Sequence, residues 1–131
     1  MQNLQSQELL ASVGYTNVEL TGDTRFDRVN RITKSVYKND LIESFCIDKK
    51  VIIAGSTWNA EHEFIKKYVQ ETPSEISFII APHEIDDKKI QLLKNEFKSS
   101  CILFSETDNL SDISNYKILI IDQIGMLSKL Y

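Results

Sequence analysis

Three polar segments of this sequence carry side chains that suit an anion or a nucleoside, and each follows a run of apolar residues. The first, Gly55-Ser56-Thr57, follows Val51–Ala54. A glycine lets a ligand approach the backbone, and free N–H groups at the start of a following helix favour an anion. In the alternative interpretation, Ser56 or Thr57 only caps that helix. The segment matches neither GxGxxG nor Walker A, so neither NAD nor ATP is indicated.

The second and third segments are Ala81-Pro82-His83-Glu84 and Asp122–Met126. The imidazole of His83 suits contact with a base or a phosphate. Alternatively the segment is only a polar turn, in which Glu84 complements the dipole of the next helix. In the third segment, a carboxylate followed by a glycine-containing helix start suits a ribose or a phosphate. Each segment alone is a weak signal and specifies no ligand.

These segments are expected to share one edge of a parallel sheet. Apolar runs without polar alternation are typical of strands covered on both faces, and their alternation with helices of about 12 residues predicts parallel βαβ units. Ligands of such sheets bind beyond the carboxyl ends of the strands. The sequence therefore predicts an α/β fold, with a Rossmann-like parallel sheet and helices on both faces. The predicted elements are strands Val51–Ala54, Ile76–Ala81, Cys101–Phe104 and Lys117–Ile121, and helices Trp58–Gln70, Asp86–Phe97 and one that begins at Ile124.

The region before this sheet predicts shorter elements. Apolar spacing indicates a helix over Asn3–Val13 and another over Phe26–Val36, and Asn17–Leu20 is a candidate strand between them. Asp40 and Glu43 resemble a capping box, which predicts a further short helix from Asp40.

Size, charge and composition exclude several classes of protein. The chain has 131 residues and a net charge of −4, which suits one domain and argues against a nucleic-acid binder, because a phosphate backbone demands a basic face. Cys46 and Cys101 form no CxxC pattern, and neither His62 nor His83 has a partner at metal-ligand spacing. No zinc site is expected, and both thiols are predicted to be buried and reduced. The sequence has no signal peptide and no run of about 20 apolar residues, which predicts a cytosolic segment.

Four segments, taken in order, resemble the 3-deoxy-D-manno-octulosonic acid (Kdo) transferases of lipopolysaccharide assembly, in their Bacteroidetes form. The residues that carry the resemblance are Thr21-Gly22-Asp23-Thr24-Arg25-Phe26-Asp27-Arg28-Val29, Ala54-Gly55-Ser56-Thr57-Trp58, Ile80-Ala81-Pro82-His83-Glu84-Ile85 and Ile121-Asp122-Gln123-Ile124-Gly125-Met126-Leu127. Together they span nearly the whole chain. Each is weak alone, but four segments in register are specific.

The resemblance implies a two-domain glycosyltransferase of the GT-B type. In that family an inverting displacement moves Kdo from the donor CMP-Kdo to a hydroxyl of a lipid A precursor. The C-terminal domain binds the donor, while the N-terminal domain holds the acceptor and the catalytic carboxylate base. An N-terminal anchor usually attaches these enzymes to the cytoplasmic face of the inner membrane. No cofactor and no metal are expected.

The resemblance assigns residues 1–24 to the end of the N-terminal domain and the interdomain crossover, and residues 25–131 to part of the CMP-Kdo-binding domain. The nucleotide-sugar-binding residues that it implies are Gly55, Ser56, Thr57, Pro82, His83, Gly125 and Met126. Of these, the first three are expected to face the donor phosphate or the sugar carboxylate. The proline and histidine would line the cytidine pocket, and the last two would lie against the nucleotide. No catalytic residue is expected here, because the base belongs to the N-terminal domain.

Three features depart from the family pattern. Many relatives read Pro-Arg-His-x-Glu-Arg where this chain reads Pro82-His83-Glu84-Ile85, and the loss of both arginines removes part of the usual phosphate contact. Met126 stands where many relatives have glutamate. The glycine-rich stretch and the Gly-His-Asn…Glu segment of the family do not occur. The chain is therefore expected to be a soluble part of a longer enzyme, without transferase activity by itself.

Two other interpretations stay open. A different GT-B glycosyltransferase would use a UDP- or GDP-sugar. A non-catalytic Rossmann-like interaction module would bind no nucleotide, and changes at Ser56 or His83 would then affect only stability. An uncovered sheet edge also invites association. An oligomer of this chain is therefore expected to reflect missing parts of the enzyme.

Overall fold

The computed structural model describes residues 1–34, 37–107 and 113–130, and the chain divides into two compact units, Met1–Tyr37 and Lys38–Tyr131. The N-terminal unit contains helices α1 (Leu4–Ser12) and α2 (Thr24–Thr33), and neither helix has a buried residue. Asn3 caps α1 and Asp23 caps α2, each through a side-chain oxygen that accepts a backbone N–H bond. Both helices thus begin where the sequence supplies a capping side chain.

The strand predicted over Asn17–Leu20 was wrong. Among the described residues this segment belongs to no sheet, and it is attached instead by isolated hydrogen bonds. The amino terminus of Met1 donates to the Glu19 carbonyl at 2.6 Å, and Gln7 Nε2 donates to the Val18 carbonyl at 3.0 Å. The helix predicted over Phe26–Val36 ends at Thr33, and its last two predicted residues lie outside the described part of the chain. The assignment of residues 1–24 to a separate domain stays a prediction.

The C-terminal unit is an α/β fold with four parallel strands in the order β1-β2-β4-β3. Its helices and strands, in chain order, are α3 Asp40–Cys46, β1 Lys50–Thr57, α4 Asn59–Glu71, β2 Ile76–Pro82, α5 Asp87–Phe97, β3 Cys101–Leu103 and β4 Ile118–Ile120. The predicted parallel sheet is confirmed. Its strands differ from the prediction by a few residues at their ends, because hydrogen bonding to neighbours rather than apolar composition sets where a strand stops.

Two of the helices predicted for this unit differ in the structure. Asn39 rather than Asp40 caps α3, and its side chain accepts the Ile42 N–H at 3.1 Å. The helix expected from Ile124 is absent in the described residues, which show only a 3-10 turn over Leu127–Lys129. Gly125 has φ +83°, a left-handed conformation that an α-helix does not continue through.

The sheet is covered on both faces, as the apolar strands predict. One face packs against α4 and α5, and the other packs against α3 and the segments that follow β3 and β4. Alternate residues of β2 divide between the two cores: Phe78 and Ile80 face the helices α4 and α5, while Ile79 and Ala81 face the side of α3. The two cores fix the strands, so their carboxyl ends form one edge where loops from different parts of the sequence meet.

Candidate functional site

A cleft of about 230 Å³ lies beyond the carboxyl ends of β1, β2 and β4. We call it the His83 cleft. Its polar and glycine residues come from all three predicted segments: Ser56 from the end of β1, His83 from the end of β2, and Gln123 and Gly125 from the segment after β4. Pro82 also lines it. Parallel pairing brings these segments together, because every strand of the sheet ends at this same edge.

Ser56 sits at an irregularity near the end of β1. Gly55 is paired with Ala81 and Thr57 is paired with Pro82, so the strand holds one extra residue at this point. Ser56 takes φ +58°, which is costly for a residue with a Cβ atom. The prediction that the strand ends at Ala54 and a turn follows was therefore wrong. The strand continues to Thr57 and presents Ser56 from a bulge.

His83 is held by three contacts. Its backbone N–H donates to the Thr57 carbonyl at 2.9 Å, which continues the attachment of β2 to β1 beyond the strand ends. Its Nδ1 atom lies 2.7 Å from Ser56 Oγ, within hydrogen-bond distance. Its ring stacks on Trp58 with a centroid separation of 4.2 Å and an interplanar angle of 24°. The ring is exposed to solvent, but the hydrogen bond to Ser56 and the stacking on Trp58 hold it in position.

Thr57, next in the chain, has a different environment. Its side chain is 8% exposed, and its Oγ1 lies 3.1 Å from Nε2 of His62, which is 6% exposed. Burial is the largest influence on this imidazole and lowers its pKa below 6.5, against the opposing charges of Glu96 and Glu61. Thr57 and His62 line a second cleft of about 270 Å³, which we call the His62 cleft.

Neither hydroxyl caps α4, so the capping interpretation of Ser56 and Thr57 was wrong. The helix begins after Trp58, whose backbone N–H donates to the Glu61 side chain. The polar-turn interpretation of Glu84 was correct in part. Its carboxylate forms an ion pair with Lys89 in the first turn of α5, at the wall of the His62 cleft. The hydroxyls are thus available for the two imidazoles.

The remaining predicted site residues are distributed differently. Gly55 lies within β1 and is not among the residues that line the His83 cleft. Met126 is 6% exposed and packs in the core on the α3 side of the sheet, while its neighbour Gly125 lines the cleft. Asp122 accepts hydrogen bonds from the backbone N–H and the hydroxyl of Ser105, which joins the ends of β3 and β4. Its carboxylate therefore holds two loops together.

Charge in the His83 cleft is low. In the described part of the chain, no lysine, arginine, aspartate or glutamate lines it. An anion placed there would depend on His83, on the Gln123 amide and on backbone N–H groups for hydrogen bonds. Such a site suits a single phosphodiester better than a diphosphate.

Trp58 and His62 were not predicted as site residues. A tryptophan after a strand usually packs in a core, and a histidine one turn into a helix has no special spacing. Only the pairing of β1 with β2 places Trp58 against His83, and only the docking of α4 places His62 against Thr57. The strand-to-helix position of Trp58, at the edge where ligands bind, was the available signal.

Three further features concern metal binding, the two cysteines and membrane-spanning helices. In residues 1–34, 37–107 and 113–130, no three His, Cys, Asp or Glu side chains are grouped so that they could hold a metal ion. Cys101 is buried and Cys46 is half-buried, and neither is in a disulfide. Burial raises the pKa of both thiols. No helix in the described part of the chain is long and apolar enough to cross a membrane.

Comparison with known proteins gives one similarity. The chain is 28% identical over 137 aligned positions to a bifunctional glycosyltransferase/methyltransferase of Fusobacterium nucleatum. The alignment covers 100% of this chain and 21% of that protein, so the chain spans about a fifth of the relative's length. No family model matches the sequence. No solved structure matches it either.

Proposed function

We propose that this chain supplies the donor-nucleotide site of a glycosyltransferase, and that the donor is CMP-Kdo and the acceptor a lipid A precursor. The relative from Fusobacterium nucleatum, by its name, supports the transfer of a glycosyl group. The four segments that resemble the Kdo transferases support the finer assignment. The catalytic base, the acceptor site and attachment to the inner membrane belong, in this proposal, to a longer enzyme, since the relative is about five times as long as this chain.

The observation that carries the proposal is the meeting of Ser56, His83 and Gly125 in one cleft. These residues are separated by up to 69 positions in the sequence, and each belongs to a different segment of the resemblance. A site for a nucleotide is expected at this edge of an open α/β sheet.

The charge of the cleft favours CMP over the alternatives. A CMP-sugar carries one phosphodiester charge next to the nucleoside, whereas a UDP- or GDP-sugar carries a diphosphate. A diphosphate usually requires arginine, lysine or a metal ion to offset its charge. No lysine or arginine among the described residues lines the His83 cleft, which suits the single phosphate. The missing arginines of the family pattern are consistent with weak binding by this chain alone.

Isothermal titration of the purified chain tests the proposal. The ligands are CMP, UDP, GDP and S-adenosylmethionine, the last because the relative's name also includes a methyltransferase. CMP should bind more tightly than the other three, and His83→Ala should reduce that binding. Lys67→Ala, which changes an exposed residue of α4 outside the His83 cleft, should not.

Other outcomes assign other functions. Tighter binding of UDP or GDP would replace the Kdo assignment by another glycosyltransferase. Preference for S-adenosylmethionine would assign the chain to the methyltransferase part. If no nucleotide binds, and Ser56→Ala and His83→Ala change only stability, the chain is an interaction module and the proposal is wrong.

A further inference from the structure

We infer that Ser56 is a positioning residue whose hydroxyl fixes the tautomer of His83, so that Nε2–H of His83 is the hydrogen-bond donor to the anionic group of the ligand. The nature of that ligand, a nucleoside monophosphate, rests on the proposed function. The role of Ser56 does not, because it follows from geometry within the chain.

The first step is the hydrogen bond between Ser56 Oγ and His83 Nδ1, at 2.7 Å. A hydroxyl can donate to an unprotonated ring nitrogen, and a neutral imidazole then carries its proton on the other nitrogen. If the imidazole is protonated, Nδ1–H donates to the hydroxyl oxygen and Nε2 still carries a proton. When the Ser56 hydroxyl donates to Nδ1, as we infer, or when the ring is protonated, Nε2–H is left as a donor.

The second step is that Nε2 is available. Within the described part of the chain, Nε2 of His83 has no hydrogen-bond partner, while the backbone N–H of the same residue is engaged with Thr57. Stacking on Trp58 restricts rotation of the ring. No lysine or arginine of residues 1–34, 37–107 or 113–130 lines the His83 cleft. A fixed imidazole N–H is therefore the strongest side-chain donor that the cleft offers to an anion.

The third step is the backbone of Ser56. Its φ of +58° is unfavourable for a serine, and a glycine would adopt the same conformation without that cost. The bulge alone would therefore favour glycine. What serine adds is the hydroxyl, and its observed partner is His83. Strained backbone conformations are enriched at functional sites, which supports a role for this hydroxyl.

The experiment reads the two ring nitrogens of His83 directly by ¹⁵N NMR of the full chain. Only two histidines are present, so the variant His83→Ala assigns the signals. In the wild type the Nδ1 signal should be that of an unprotonated acceptor and the Nε2 signal that of a protonated donor. In Ser56→Gly and Ser56→Ala the two tautomers should both be populated.

Affinity and stability are measured on the same variants, with CMP and cytidine as a matched pair of ligands. Both variants should lose CMP affinity by about two-fold, because only rings that carry the proton on Nε2 donate to the anion, and cytidine affinity should not change. Ser56→Gly should nevertheless be more stable than Ser56→Ala, since only alanine keeps the cost of positive φ. Asp48→Gly relieves a similar φ of +56° outside the cleft and should change neither the His83 signals nor the affinity.

Several outcomes overturn the inference. A wild-type His83 protonated on Nδ1 alone, or ring signals unchanged in Ser56→Gly, would show that Ser56 does not select the tautomer. Equal loss of CMP and cytidine would show that the effect is not on the anion. If the wild type binds no nucleotide, the proposed function fails separately, and orthophosphate replaces CMP as the probe. A phosphate-dependent shift of Nε2 in the wild type and not in Ser56→Gly would then still support the inference, and its absence would reject it.

Discussion

Two hydroxyl–imidazole pairs lie side by side at the end of β1, and they differ in burial. Ser56 bonds His83 in an open cleft, while Thr57 bonds His62 where both side chains are more than nine-tenths buried. The His62 cleft includes Ile90 and Leu93 of the core beside α4 and α5, while the His83 cleft includes Ala81 and Ile121 of the core on the α3 side. Successive side chains of a strand point to opposite faces of the sheet, which separates these two consecutive hydroxyls.

The same hydroxyl–imidazole pair can stabilise the fold or orient a donor toward a ligand, and its access to water decides which. A buried hydroxyl and imidazole must satisfy each other, because an unpaired polar group in the interior costs on the order of 1–3 kcal/mol. An exposed pair gains little stability, since water competes for both partners. The exposed pair is then free to orient a donor toward a ligand. Substitutions in the buried and the exposed pair, and the pH dependence of unfolding, can test this difference.

The largest effect is expected for His62→Ala. The change removes a buried ring, leaves a cavity between α4 and β1, and leaves the Thr57 hydroxyl without its partner. We expect the free energy of unfolding to fall by about 2–4 kcal/mol. Urea denaturation measures this free energy. The CMP affinity of the folded variant should be unchanged. A loss below about 0.5 kcal/mol would mean that the buried pair is not a stability element.

His83→Ala is the matched change in the exposed pair, and it should act on binding. We expect the free energy of unfolding to change by less than about 1 kcal/mol. The effect is small because the substitution removes only an exposed ring with one stacking contact. CMP affinity should fall by about ten-fold or more, through loss of the donor to the phosphate. Titration calorimetry and urea denaturation on the same preparation separate the two effects. A stability loss as large as that of His62→Ala would remove the distinction between the pairs.

Gly125→Ala tests the opposite wall of the His83 cleft. Nothing lies within 4 Å of the added Cβ, so the cost comes from the φ of +83° and should be about 1–2 kcal/mol of stability. Because the loop must shift to relieve that cost, CMP affinity should also fall. Gly14→Ala, at a φ of +91° in the N-terminal unit, is the control and should leave CMP affinity as it is. Unchanged affinity in Gly125→Ala would place the ligand away from this loop.

The smallest effect is a pH dependence that belongs to the buried pair. Burial lowers the pKa of His62 in the folded state below its unfolded value of 6.5, so the unfolded chain binds the proton more tightly. The stabilising contribution is therefore complete above pH 6.5 and is lost as pH falls through the folded-state pKa. Urea midpoints measured from about pH 7.5 down to about pH 5 should decrease more in the wild type than in His62→Gln. Equal slopes would show that His62 does not titrate with unfolding.

Much of the fold could be predicted from local patterns, because the apolar runs and helical stripes of the C-terminal unit are unambiguous. The prediction failed where contacts with other parts of the chain, or a single backbone conformation, decide the local structure. Asn17–Leu20 has the composition of a strand but no neighbouring strand among the described residues, and the helix expected from Ile124 gave way to a turn at Gly125. For the site, Ser56, Pro82, His83 and Gly125 were predicted and are brought together. That they bind CMP-Kdo stays a prediction.

The sequence by itself determined the α/β class, the parallel sheet and the edge at which polar segments gather, because hydrophobic periodicity and turn residues act over a few neighbouring positions. The tertiary structure alone decided which imidazole each hydroxyl meets. The bulge at Ser56, the stacking of Trp58 on His83 and the burial of His62 against Thr57 all depend on the pairing of β1 with β2 and the docking of α4. Contacts between residues distant in the chain depend on packing, and no local pattern encodes them.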